Sequence, residues 1–200
     1  MSWTRITARP RGSIRERLTR LILLIEILAI SGSLRAASTN SALVEALAAN
    51  APADCRFVIY GGLGRLPIFN PDDEGERTPR EASDLIDAVT HADGIIVSCP
   101  EYAHGVPGGM KNALDWLVSR DAAVGKPAML VHGSPRSLYA RAALAEIMRT
   151  MSFALYEETT LEIALLGKKP VEAEEILAEA ANSLAMRNAV RAFAGFIRGR

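Results

Sequence analysis

Short apolar runs recur along the chain at Leu23–Ile30, Arg56–Tyr60, Gly94–Cys99 and Lys126–Val131. Each is too short for a helix, and punctuating Gly, Pro or Asp residues lie close to them, so each reads as a strand, the continuous ones buried on both faces. A fifth strand is expected over residues 153–163, with a less regular pattern. The segments between the runs carry helical spacing instead. One helix is expected from Ser41 to Ala49, and another from about Thr78 to His91 after a Gly/Pro/Asp loop. A third opens at Gly109, where Met110, Ala113, Leu114 and Leu117 share a face. In a fourth, Ala140, Leu144, Ile147, Met148 and Met151 form an apolar stripe. The last helix, expected from Val171 to Ile197, begins with Glu172, Glu174 and Glu175 and ends with Arg187, Arg191 and Arg198, matching the sign of the helix dipole at each end. Strands alternating with helices predict an α/β unit wound around a parallel sheet.

Composition narrows this to one compact domain, since 200 residues with 49% hydrophobic content suffice for a substantial core. The formal charge of zero hides an asymmetry: residues 1–24 hold six arginines against Glu16, a local +5 that leaves the remainder at −5. A mildly acidic body argues against nucleic acid as a partner. The basic head followed by Leu21–Ile30 resembles the start of a signal peptide, but Glu26 interrupts the apolar stretch, no small-residue cleavage site follows, and the run is too short to span a bilayer. Residues 1–20 are therefore read as a basic extension, mobile or helical, and 21–200 as the folded domain. The two cysteines, Cys55 and Cys99, fall at strand ends and read as reduced thiols of a cytoplasmic protein. With the three histidines they show no metal-ligand spacing.

Two strand ends carry the candidate chemistry. The first strand feeds Ser31-Gly32-Ser33-Leu34-Arg35-Ala36-Ala37-Ser38-Thr39-Asn40 and then a helix, an order that presents unpaired amides and the positive end of the dipole to an anion. Ser33, Ser38, Thr39 and Asn40 add neutral donors, and Arg35 adds a charged fork suited to phosphate oxygens. Neither a Gly-Lys-Ser/Thr ending nor Gly-x-Gly-x-x-Gly is present, so a monophosphate fits better than a triphosphate or dinucleotide. The plainer alternative makes Ser38 or Asn40 a helix cap and Arg35 a solvated charge. The third strand ends at Pro100-Glu101-Tyr102-Ala103-His104-Gly105-Val106-Pro107-Gly108-Gly109, where prolines stiffen and glycines free the backbone in front of a helix. In an open parallel sheet, ligands sit outside the carboxyl ends of the strands where the order reverses. Gly133-Ser134-Pro135-Arg136 after the fourth strand adds another loop at that end.

Gly32-Ser33-Leu34-Arg35 with Ser38 and Asn40, Leu66-Pro67-Ile68-Phe69-Asn70, and Pro100-Glu101-Tyr102 through Trp116 together resemble the NADPH-dependent FMN reductases of the flavodoxin-like superfamily, which includes quinone, azo-dye and chromate reductases. The resemblance runs from about Ile25 to about Leu166. It implies a flavodoxin-like three-layer sandwich with a five-stranded parallel sheet of order 2-1-3-4-5, FMN at the strand carboxyl ends, NADPH or NADH as co-substrate, and a homodimer or homotetramer. Residue by residue it implies that Ser33, Arg35, Ser38 and Asn40, with Thr39 beside them, hold the FMN phosphate. Pro100, Glu101 and Tyr102 would then lie along the isoalloxazine and ribityl chain, with Ala103, His104, Gly105, Gly133 and Ser134 completing the cofactor-binding set. Ala103 stands where asparagine is usual and Gly105 where serine is usual, and each change removes a side-chain hydrogen bond worth ~1 kcal/mol.

The chain shows no acid–base or nucleophile constellation, and no catalytic residue is assigned. Flavin chemistry needs none, since the cofactor carries the electrons and the protein positions it. The expected activity is hydride transfer from NADPH or NADH through FMN to a small-molecule acceptor such as a quinone or free flavin. His104 and Tyr102 are expected as positioning residues, and His132 and His91 as structural ones. The alternative is a non-enzymatic flavodoxin-like electron carrier or flavin-binding regulatory protein. Trp116, well off its helix's apolar stripe at 100° per residue, is expected on the surface at a subunit contact.

Overall fold

The computed structural model describes residues 24–200, so the extension assigned to residues 1–20 lies outside the described residues. Five strands, β1 (Ile25–Ser31), β2 (Cys55–Tyr60), β3 (Gly94–Ser98), β4 (Pro127–His132) and β5 (Ala154–Glu162), form one sheet of order β2-β1-β3-β4-β5. Every adjacent pair is parallel. The helices are α1 (Thr39–Ala49), α2 (Arg80–His91), α3 (Gly108–Asp115), α4 (Leu138–Thr150), α5 (Pro170–Ala178) and α6 (Ala180–Arg198). They divide between the two faces of the sheet. Leu43 and Leu47 of α1 pack with Leu177 of α5 and Met186 and Phe193 of α6 against Ile27 and Ile96. Leu85 of α2, Met110 and Leu114 of α3 and Leu144 and Met148 of α4 pack against Leu28, Ile95 and Val97 on the other face. Alternate residues of one strand thus enter opposite cores, which is why β1 and β3 are apolar without interruption. The expected flavodoxin-like sandwich and its strand order are both present.

β1 and β3 are in register from Ile27↔Gly94 to Ser31↔Ser98, so they end level at the point where the chain passes from one side of the sheet to the other. β5 was the weakest strand in the pattern because its pairing is irregular: the register with β4 shifts between Met129 and Val131.

Two expectations need correction. Trp116 is fully buried, at 0% exposure. Trp116 still follows the helical path, its N donating to Asn112 O, so it does leave the apolar stripe; the three-residue spacing begins only after it, with Leu117 N to Leu114 O and Val118 N to Asp115 O. The loop Leu66-Pro67-Ile68-Phe69 then covers the indole. Its Nε1 donates to Pro67 O at 2.8 Å, Phe69 meets it edge-on at a centroid distance of 5.1 Å, and Asn112 ties the same loop by Nδ2 to Pro67 O and by Oδ1 from Phe69 N. Trp116 is a loop anchor and supplies no subunit contact.

The single terminal helix is also two. Glu179 leaves helical geometry at φ −55° and ψ 138°. Ile176 O, near the end of α5, accepts from Glu179 N and also from Asn182 Nδ2. The acidic head therefore belongs to α5 and the basic tail to α6, and no acidic residue occupies the first turn of α6.

Trp116→Ala should cost about 3–5 kcal/mol in urea unfolding through the cavity it leaves. Trp116→Phe, losing the hydrogen bond to Pro67 and part of the ring, should cost distinctly less.

Candidate functional site

The turn after β1 is held by its own hydroxyls. Ser38 is the N-cap of α1, its Oγ accepting from Ser41 N while Ala42 N donates to Ser38 O. Ser33 Oγ and Ser31 Oγ accept longer bonds from Arg35 N and Ser33 N, and Ser41 Oγ reaches Ser31 Oγ at 3.0 Å. The amides of Thr39 and Asn40 find no acceptor among the described residues, so the first turn of α1 keeps donors for an anion. Asn40 is not a cap. Its Oδ1 accepts from Ser98 Oγ, at the end of β3, with a separation of 2.9 Å in a buried position. Gly32 N donates to Ser98 O at 2.8 Å, so Ser98 binds both ends of the turn. A Cβ on Gly32 would lie 2.6 Å from Cys99 Sγ, and only glycine allows this approach.

The segment after β3 folds into a miniature hairpin. Tyr102 and Gly105 exchange two backbone hydrogen bonds, N to O at 3.1 and 2.9 Å, around Ala103 and His104. Those two central residues have φ of 49° and 58°, the left-handed pair that a type I′ turn requires and that Asn and Gly adopt more readily than Ala and His. Two contacts to α4 hold the hairpin. Glu101 Oε2 accepts from Ala140 N, the third residue of α4, at 2.9 Å; Ser137 makes no side-chain cap, so this carboxylate caps the helix from another segment. The His104 ring stacks on Tyr139 with centroids 4.4 Å apart and an interplanar angle of 19°.

One cavity of about 400 Å³ joins these parts. Ser33, Arg35, Ser38, Thr39 and Asn40 line it from β1 and α1, Pro100, Glu101 and Tyr102 from the end of β3, and Gly133 and Ser134 from the end of β4. Ala103, His104 and Gly105 are absent from the lining; the hairpin tip stands outside it. The sequence reading missed Ser137 and a wall formed by Leu166, Gly167, Lys168, Lys169 and Pro170 between β5 and α5. The signal for that wall was present, a glycine (φ 76°) and two lysines before a helix-opening proline, at the carboxyl end of the fifth strand. The cavity size is within the roughly 300–1,000 Å³ of small-molecule sites, and its lining holds three cationic residues against Glu101 alone. A phosphate head with a flat body, as in FMN, fits that lining, which combines hydrogen-bond donors and cations with proline and tyrosine.

Two titratable groups lie beneath the cavity. Burial, then the positive charge of Arg141, pushes the His132 imidazolium down to about 4, so this histidine is neutral at pH 7. Burial pushes the Cys99 thiol up to about 12. Among the described residues no group of three His, Cys, Asp or Glu side chains is placed to hold a metal ion.

A parallel sheet of this order with an anion-donor turn and a proline-bracketed hairpin at the strand-reversal point defines a flavodoxin-like ligand-binding architecture. Comparison with known proteins places it within that class. The model of the NADPH-dependent FMN reductase family matches residues 25–161. The chain belongs to that family, whose cofactor is FMN and whose co-substrate is NAD(P)H. Among curated proteins it is 33% identical over 145 residues to the NADH:(hydroxy)cinnamate reductase subunit CrdA of Vibrio ruber, covering 70% of each chain. It is 31% identical over 109 residues to a quinone reductase of Escherichia coli, covering 53% of this chain and 58% of that one, so the alignment spans little more than half of the quinone reductase. Among solved structures, the flavoenzyme NAD(P)H:(acceptor) oxidoreductase FerB of Paracoccus denitrificans superposes with a TM-score of 0.72 over 88% of this chain and 98% of its own; at 23% identity it shows the fold alone.

Two outcomes test this geometry. Glu101→Ala leaves the Ala140 amide without its acceptor and should lower stability by about 1–2 kcal/mol, with Glu101→Gln, which keeps an oxygen, losing about half as much in the same denaturant titration. His132 has a folded value below its unfolded one, so its contribution is fully present above pH 6.5 and falls away as the pH drops toward about 4. The unfolding free energy of the wild type should decline over that interval by up to about 3 kcal/mol more than that of His132→Gln.

Proposed function

We propose that residues 21–200 form an FMN-binding domain of an NAD(P)H-dependent oxidoreductase that passes electrons to a small-molecule acceptor such as a quinone or free flavin. Residues 1–20 form a basic extension to it. The observation that carries this reading is the single cavity that brings the serine-rich turn and the proline-bracketed segment together, two parts of the chain some sixty residues apart. Arg35, Ser33, Ser38, Thr39 and Asn40 are assigned to the phosphate, with the free amides at the start of α1 as further donors. Pro100, Glu101, Tyr102, Gly133 and Ser134 are assigned to the ring and ribityl chain, and Ala103, His104 and Gly105 to the edge of the crevice. When bound, FMN supplies hydride acceptance from NADPH or NADH and electron delivery to the acceptor.

The chain's own task is positional. The two reciprocal hydrogen bonds of the hairpin fix its shape without side-chain bonds from positions 103 and 105, and the Glu101 cap ties that hairpin to α4. The protein is read as cytoplasmic; among the described residues no helix is long and apolar enough to cross a membrane. A homodimer or homotetramer is proposed from the family pattern, without any part for Trp116.

The purified protein should show flavin absorption bands or acquire them on addition of FMN, and should then oxidise NADPH or NADH when a quinone is supplied. Flavin bound without such turnover indicates the electron-carrier alternative, and a chain that takes up no FMN sinks both. Arg35→Ala removes a charged phosphate contact and should weaken FMN by roughly ten- to a hundred-fold in a fluorescence-quenching titration, leaving riboflavin, which lacks the phosphate, little affected.

A further inference from the structure

The cavity wall between β5 and α5 lies beyond the family match, which ends at residue 161, yet it brings Lys168 and Lys169 to the same cavity as Arg35. The backbone of this wall is fixed. Leu165 N donates to Gly133 O at 2.9 Å, Lys168 N to Leu165 O at 3.1 Å, and Lys169 N to Glu172 Oε2 at 2.8 Å. The lysines themselves are exposed, and neither they nor Arg35 form an ion pair among the described residues, in contrast to Arg56, Arg120, Arg141, Arg149 and Arg198. Glu172 is engaged by the Lys169 backbone and Glu101 by Ala140, so the nearest carboxylates are occupied elsewhere.

A second observation points to an anion at this place. Asn40 is 9% exposed and lines the cavity; its Oδ1 is taken by Ser98, while its Nδ2 donates to no protein acceptor among the described residues. An open donor on an otherwise buried residue at the cavity, beside two free amides and three unpaired cations, is an arrangement that phosphate oxygens satisfy.

We propose that Lys168 and Lys169 form a second cationic wall of the phosphate site, facing the Arg35 turn across the cavity and contacting the phosphate of a bound nucleotide. This rests on the flavin reading above. Two phosphates meet the chemistry, the 5′-phosphate of FMN and the 2′-phosphate that distinguishes NADPH from NADH. A wall that neutralises a phosphate contributes an attraction that salt screens.

The test uses the full chain with Lys168→Ala, Lys169→Ala and the double substitution. Because Lys169 holds Glu172 through its backbone, the side chain can be removed without losing that contact. FMN and riboflavin are titrated by fluorescence quenching at low and high salt, and the KM for NADPH and NADH is measured on the FMN-loaded protein. Roughly ten-fold weaker FMN binding in the double variant, with riboflavin unchanged and a flatter salt dependence, assigns the lysines to the flavin phosphate. Unchanged FMN binding with a raised KM for NADPH and not for NADH assigns them to the 2′-phosphate. Restoration by Lys168→Arg with Lys169→Arg identifies charge as the cause. If both FMN affinity and the NADPH/NADH ratio stay at wild-type values, the proposal is overturned. A wild-type chain that binds no FMN fails earlier, on the functional reading itself.

Discussion

Ser98 holds the two halves of the site together. At the last position of β3 its carbonyl accepts from Gly32 and its hydroxyl donates to Asn40, so one buried residue fixes both the entry to the β1 turn and the first turn of α1. This works only because the β1/β3 register places Ser31 opposite Ser98 and because glycine at 32 lets the turn settle onto Cys99. A one-residue slip of either strand would turn its side chains to the opposite face and drive apolar residues of one core into the other. The apolar alternation of the strands and the placement of the polar cavity are therefore a single constraint seen at two distances.

The second half of the cavity depends on a less comfortable piece of backbone. Ala103 and His104 both occupy left-handed geometry, which costs an L-residue with a Cβ on the order of 1 kcal/mol. Three contacts oppose that cost: the reciprocal Tyr102–Gly105 hydrogen bonds, the Glu101 cap on α4, and the His104–Tyr139 stack. Asparagine at 103 would adopt the turn more easily. This chain keeps the shape by fastening the turn to a neighbouring helix.

Much of this was legible in the pattern of residues. β1, β3 and β4 were readable because strands buried on both faces leave an uninterrupted apolar run, and the reversal point followed from their order. The turn from Ser33 to Asn40 and the segment from Pro100 were readable because Ser, Arg, Pro and Gly at strand ends have few other reasons to cluster. Trp116 was not, since its burial depends on the loop of Pro67 and Phe69 reaching it from almost fifty residues away. The break at Glu179 was hidden because neither proline nor glycine marks it; Glu179 N and the Asn182 side chain both donate to Ile176 O across it. The end of the fifth strand was placed within a residue of Glu162, but Lys168 and Lys169 beyond it were overlooked because lysines in an exposed loop look like ordinary solvated charge.

The seat that Gly32 offers Cys99 also determines the reactivity of that sulfur. With burial pushing its pKa up to about 12, the thiol stays protonated at neutral pH. Soft electrophiles alkylate thiolates far faster than thiols, and a cysteine next to an open cavity would ordinarily be a point of self-inactivation. Kept protonated under the turn, Cys99 is a poor nucleophile in the one part of the molecule where a good one would be a hazard.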